Sequence, residues 1–202
     1  MRTPIILALC AGLLAACGGG YSGTVGRGAS PAFLDDACAI LRDRPGYGRA
    51  FARTERKWGV PVHVQMAMIH QESKFVSDAR TPFRYALGVI PFGRQSSAYG
   101  YSQALDGTWK EYLAEEGGRG AKRDRIADAT DFMGWYMEKS RAQLGLSMSD
   151  ARNQYLAYHD GRTGYRRGTW RAKGWLIAVA GKVDARSAMY AEQLQGCRRL
   201  WR

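Results

Sequence analysis

Glu72 is the residue around which chemistry can be assembled in this chain. It stands in Ile69-His70-Gln71-Glu72-Ser73, at the end of a run beginning at Val60 that is apolar nearly all the way round a helix. A helix of that kind is buried in a core. Met68 and Ile69 precede Glu72 by four and three residues, on the same face. Apolar neighbours strip hydration from a carboxylate, which penalises the charged form and raises the pKa above its usual value of about 4.3. Glu72 then keeps a proton near neutrality and can donate it, as glycosidic bond cleavage demands of a general acid. This stretch alone fits equally well a Glu reaching for water at a helix end. The rest of the chain has to discriminate.

Other reactive residue types offer less. Ser73 has no His–Asp partnership legible from spacing, so it does not read as a nucleophile. The three histidines are His63, His70 and His159. His63 and His70 share a helix face at i, i+7, but no His-Glu-x-x-His occurs, and no metal site is expected.

The elements that must position Glu72 read as helices throughout, an all-α (mainly helical) single domain over 31–202. Ser30-Pro31 predicts a cap and first helical residue, opening a helix through Phe33, Ala37, Ile40 and Leu41 to about Asp43. Pro45-Gly46 breaks it, and a second helix runs from Tyr47 to Trp58, stopped by Gly59. Pro61 starts the buried helix of Glu72. Asp106 predicts a cap for a helix with Trp109 and Tyr112 that ends at Gly117-Gly118. Asp124 caps a longer one, with Ile126, Ala129, Met133, Tyr136, Met137 and Leu144 on a helical stripe. Ser149 opens a helix through Tyr155 and Leu156 to His159, interrupted at Gly161-Arg162-Thr163-Gly164. A last amphipathic helix carries Leu176, Ala180, Val183, Tyr190 and Leu194. Residues 74–98 hold Pro82, Gly88, Pro91 and Gly93 and predict a long loop. Its aromatics, Phe75, Phe83, Tyr85 and Phe92, either wall a binding groove or fill a small satellite core.

The beginning of the chain reads as an export signal. Arg2 precedes an apolar stretch from Ile5 to Leu14, too short to span a bilayer. Leu14-Ala15-Ala16-Cys17-Gly18 resembles the lipobox of bacterial lipoproteins, which implies a signal at 1–16 and acylation of Cys17. Residues 17–30 then form a lipidated, Gly-rich tether. The expected location is the cell envelope, with lipid in the outer membrane and the domain facing the periplasm. Cys38 and Cys197 remain as an even pair. In an oxidising compartment they are expected to bridge, with two buried thiols as the alternative. The formal charge of +12 suits a polyanionic partner such as anionic lipid or an acidic wall polymer. Export leaves nucleic acid the poorest fit.

Three segments follow in a recognisable order: Gln71-Glu72-Ser73, then Ala98-Tyr99-Gly100-Tyr101-Ser102-Gln103-Ala104, then Ala157-Tyr158-His159-Asp160-Gly161. The chain thereby resembles the SLT-type lytic transglycosylases, which cleave bacterial peptidoglycan on a lysozyme-like helical fold. The resemblance covers about 60–165. It implies Glu72 as the catalytic acid/base, Ser73 as its support, Gln103 on the sugar and Tyr158 near the carboxylate. Tyr99, Gly100, Tyr101 and His159 stand in the matching segments and are candidate substrate contacts. Tyr101, Ser102 and His159 depart from the family's Leu, Met and Asn, which implies a more polar floor to the sugar site. His159 reads first as a residue that orients a neighbour or caps a helix end. No cofactor is implied. The partners implied are peptidoglycan strands and, through Cys17, a membrane, with any envelope complex unidentified. Two other functions stay open: a hydrolytic lysozyme, for which Asp78, Asp106 and Asp160 are candidate second carboxylates, and a non-catalytic glycan-binding lipoprotein.

Overall fold

Helix α3 (Val62–Ser73) is the axis of the structure, a computed structural model that describes residues 28–87 and 90–202. From Val64 to His70 every residue of α3 is buried. The one amide in that run, Gln65, is accommodated because its Nε2 donates to Phe51 O (3.1 Å) and Val60 O (2.8 Å). The expected signal, Cys17 and the tether as far as residue 27 lie outside the described residues.

Around α3 lie α1 (Ala37–Asp43), α2 (Pro45–Trp58), α4 (Asp106–Tyr112), α5 (Ile126–Leu144), α6 (Ala151–Arg167) and α7 (Gly174–Gln195). α3 packs along α7 and against α2 and α6, while α5 lies across α2 and α6. The expected stripes face inward: Ala129, Met133, Tyr136 and Met137 on α5, and Leu176, Ala180, Val183, Tyr190 and Leu194 on α7, are buried. Gly59, Gly145 and Gly168 end α2, α5 and α6 in the left-handed conformation. A π-helical turn, Leu113–Gly117, prolongs α4. Cys38 and Cys197 are bridged, joining α1 to the residues just after α7.

Several expected boundaries are corrected. No helix starts at Ser30-Pro31. α1 begins at Ala37, with the Asp36 side chain accepting from Ala39 N at 2.9 Å. The backbone before it is tied to α7 instead: Tyr190 donates to Leu34 O, and Gln193 Nε2 to Asp35 O at 2.9 Å. Pro45 opens α2 and does not merely break α1, since its fixed φ suits the first helical position. Leu105 and Arg125 stand where Asp106 and Asp124 were expected as caps. Asp106 pairs with Arg123 (2.8 Å), and Asp124 accepts from the Tyr99 hydroxyl (3.3 Å). Asp150, not Ser149, caps α6 by accepting from Asn153 N at 2.9 Å. α6 does break where expected: Gly161 (φ 75°, ψ 153°) kinks it, and helix resumes to Arg167.

The 74–98 segment is not a plain loop. β1 (Phe83–Ala86) and β2 (Ile90–Arg94) pair antiparallel, with an irregularity at Arg84/Tyr85. Phe83, Tyr85 and Phe92 are 44%, 57% and 70% exposed, so this hairpin has no satellite core of those rings. Arg94 and Arg84 cover the faces of Phe83 and Phe92, at 4.2 and 5.4 Å from the ring centroids. Phe75 is the exception and is fully buried.

Candidate active site

Glu72 sits in the last turn of α3, and the chain turns sharply after it. Lys74 (φ 52°) and Phe75 (φ 62°) are both left-handed, a conformation costing a non-glycine residue about 1–2 kcal/mol. Burial of Phe75 against Tyr47 (ring centroids 5.9 Å, stacked) holds the turn. So do the bonds from Val76 N to Ser73 O (2.9 Å) and from Ser30 Oγ to Lys74 O (2.5 Å). Ser73 is buried and donates to Ile69 O at 3.3 Å. It buttresses the helix end and is not presented as a nucleophile.

The Glu72 carboxyl is desolvated. The residue as a whole is part-buried, but its Oε1 is fully buried, with no hydrogen-bond partner among the described residues. Burial pushes its pKa up to about 7, while the Tyr155 hydroxyl and the Lys74 ammonium pull the other way without cancelling it. The charge of Glu72 in turn raises the phenols of Tyr155 and Tyr158, after the larger effect of their own burial. A carboxyl that titrates near neutrality can give up a proton and take one back at the same pH.

Tyr158 links the segments. Its hydroxyl donates to Ser102 O at 2.6 Å, and its ring packs edge-on to Tyr136 at 5.0 Å. The second segment is thus fastened to the third beside the carboxyl that ends the first. Ser102 is fully buried, and its Oγ also lacks a partner among the described residues. Glu72 Oε1 on the first segment and Ser102 Oγ on the second are thus both unpaired among the described residues, and buried polar atoms of this kind call for a reason.

The structure does not place every expected contact at Glu72. Tyr101 points inward, 8% exposed, its hydroxyl 2.9 Å from that of Tyr47, and with Tyr99 it lines a cavity of about 680 Å³. Gly100 serves the backbone: at φ 79°, a Cβ would meet Arg123 O at 2.2 Å. Gln103 spends its amide protons on Ala79 O and Gly100 O, both at 2.9 Å, which leaves only Oε1 for a ligand. Tyr99 lies between Arg80 and Arg123 (4.2 and 5.3 Å) on a cavity of about 680 Å³ that Glu72 does not line. His159 is exposed, with its ring edge-on to Trp175 at 5.0 Å. Partial desolvation of the imidazole and the nearby Lys173 ammonium lower its pKa.

Tyr155, which the sequence offers only as a residue of this helix, is a further candidate: its hydroxyl acts on the Glu72 carboxyl, and it stands three residues before Tyr158, on the same face of α6. That spacing was the available signal.

A family model described as a transglycosylase SLT domain matches residues 5–197. The chain belongs to this family. No curated protein matches it. The SLT domain is lysozyme-like and mainly helical, in keeping with α1–α7 and the single small hairpin among the described residues. Membership makes the chain a transglycosylase-type protein whose substrate is the glycan of peptidoglycan. Three observations independent of the match agree with it: a buried carboxyl titrating near 7, tyrosines on the facing helix, and the second segment pinned by Tyr158.

Proposed function

We propose that this SLT domain is a lytic transglycosylase that cleaves between N-acetylmuramic acid and N-acetylglucosamine and leaves 1,6-anhydromuramic ends. The observation that carries the reading is the desolvated Glu72 carboxyl, with a pKa of about 7 and an unpaired Oε1. Protonated Glu72 donates to the bridging oxygen as the bond from the muramyl C1 breaks. The substrate's N-acetyl group meets the positive charge developing at C1. The Glu72 carboxylate then takes the proton of the muramyl C6 hydroxyl as that oxygen bonds to C1. Glu72 ends protonated as it began, and no water is consumed.

One carboxyl serves both steps, whereas hydrolysis needs a second to activate water or to attack. Two of the three candidates for that second role are occupied elsewhere. Asp106 pairs with Arg123 at 2.8 Å, and Asp160 with Lys173 and Thr169. Asp78 is exposed beside Gly28. The exposed rings of Phe83, Tyr85 and Phe92 fit a wall that covers sugar faces, and we assign the hairpin that role.

Digestion of purified sacculi, followed by mass spectrometry, tests the assignment. Anhydromuropeptides are expected. Reducing-end muropeptides would make the protein a hydrolase, and intact sacculi would leave a glycan-binding role.

The same proposal includes anchoring by lipid at Cys17 in the outer membrane, supported by the lipobox resemblance of Leu14–Cys17. Among the described residues no helix is long and apolar enough to cross a membrane. Labelled palmitate should enter the wild-type protein and not Cys17→Ala.

A further inference from the structure

A second concave site lies between α2 and the segment that follows α7. It is a cavity of about 690 Å³, walled by Arg42, Arg49, Arg53, Arg56, Arg199 and Arg202, with no Asp or Glu in its lining. Arg49, Arg53 and Arg56 stand at i, i+4 and i+7, so they share one face of α2. Arg199 and Arg202 reach the same space because the 198–202 segment lies directly on α2. Gly48 permits this approach, since a Cβ there would sit 1.9 Å from Leu200 O. The Cys38–Cys197 bridge fixes the start of that segment.

Like charges around one concavity repel, and the described residues do little to relieve them. Arg42 has Asp36 at 3.7 Å, and the other five arginines make no ion pair among the described residues. Trp201 also lines the cavity. The site therefore offers guanidinium forks, and among the six arginines only Arg42 has an ion-pair partner among the described residues.

Guanidinium forks match the paired oxygens of phosphate, and the volume lies within the roughly 300–1,000 Å³ of small-ligand sites. The surroundings indicate where the phosphate comes from. Arg42 also lines an adjoining depression of about 570 Å³, shared with Asp36 and Asp43, where Phe33 is 70% exposed. An exposed aromatic ring beside a cationic pocket is the arrangement of a membrane-interface site.

We propose that this cavity is a phosphate site for the headgroup of an anionic phospholipid, and that it docks the α1–α2 face of the domain on a membrane. The proposal does not depend on the reaction assigned to Glu72. The full chain in neutral detergent, titrated calorimetrically with dihexanoyl phosphatidylglycerol, should show saturable binding. Dihexanoyl phosphatidylcholine should show none. Arg53→Gln with Arg199→Gln should weaken binding at least about tenfold, as expected for two basic groups acting on an anionic lipid. Arg119→Gln with Arg152→Gln removes the same charge from exposed positions outside the cavity and should change it less than about twofold. All four positions are exposed, and unchanged melting temperatures check that the variants fold. Equal losses in the two pairs, or equal binding of the two lipids, would overturn the site. Saturable binding of inorganic pyrophosphate without binding of phosphatidylglycerol would overturn the lipid assignment in favour of a soluble phosphate.

Discussion

Replacing Glu72 by Gln should make the protein more stable at alkaline pH and nearly inactive. In the wild type the Glu72 carboxyl titrates at about 7 when folded, against about 4.5 when unfolded. Below pH 4.5 both states hold the proton, and its contribution to stability is fully present. Between 4.5 and 7 the unfolded chain releases it first, and stability falls as pH rises. Above 7 the folded chain carries a buried carboxylate, and the contribution is lost. At about 1.4 kcal/mol per pKa unit, the loss between pH 4 and pH 8 is roughly 3 kcal/mol. Gln does not titrate. Any constant effect of burying its amide is the same at both pH values and drops out of the comparison. The melting-temperature difference between Glu72→Gln and wild type should therefore grow by roughly 6–12 °C from pH 4 to pH 8, at about 2–4 °C per kcal/mol. Turnover on sacculi should fall at least ~10²-fold, since Gln has no proton to donate. Circular dichroism melts at fixed ionic strength and product quantification supply the two numbers. A difference in melting temperature that does not change with pH refutes the desolvation argument, and near-normal turnover refutes the catalytic assignment.

Tyr155→Phe removes a hydroxyl that favours the ionised form of Glu72, so the alkaline limb of the pH–rate profile should move upward from about 7. A downward move contradicts the role given to Tyr155. Cys38→Ala with Cys197→Ala opens a loop with a sequence separation of 159. The melting temperature should fall, with roughly 5 kcal/mol as the chain-entropy ceiling, while the folded fraction keeps its activity. Wild-type melting behaviour would deny the bridge any part in stability. Phe83→Ala and Tyr85→Ala change exposed rings and should alter stability by no more than about 0.5 kcal/mol. Both should weaken binding of a chitooligosaccharide, and unchanged affinity in both takes the hairpin out of the site.

What could be read from the sequence was whatever periodicity and apolar burial dictate. α3 was legible because the stretch 60–69 is largely apolar, and Glu72 because it closely follows that run. The α5 and α7 stripes and the Cys38–Cys197 pair were legible for related reasons. The failures occur where a polar side chain has two possible partners. Asp106 and Asp124 were expected to cap helices, yet Arg123 and Tyr99 engage them instead. Ser30-Pro31 is a good local start signal, but hydrogen bonds from Tyr190 and Gln193 hold the following backbone against α7. Tyr101 was expected at the substrate because its segment matches the family. Gly100 in the left-handed region turns it toward Tyr47, and no local pattern encodes that direction. The hairpin was missed because its strands are only four and five residues long, one contains Pro91, and exposed rings on both leave no clean alternation.

The Glu72 region carries several unfavourable local terms. Glu72 Oε1 and Ser102 Oγ, like Gln65 Oε1 and Gln154 Oε1 in the core, are buried without partners among the described residues, at about 1–3 kcal/mol each. Lys74 and Phe75 add two left-handed residues immediately after the carboxyl. Selection for stability alone would remove such features, because a glycine after α3 and a paired Ser102 would relieve them. They persist because neighbouring elements over-determine the geometry: Phe75 is locked on Tyr47, Ser73 on Ile69 O, and Tyr158 on Ser102 O. Unfavourable local terms held in place by well-packed surroundings mark a site where function sets the geometry. The function indicated is proton transfer, since the same desolvation that destabilises the fold brings Glu72 to a pKa at which one carboxyl can serve as acid and then as base.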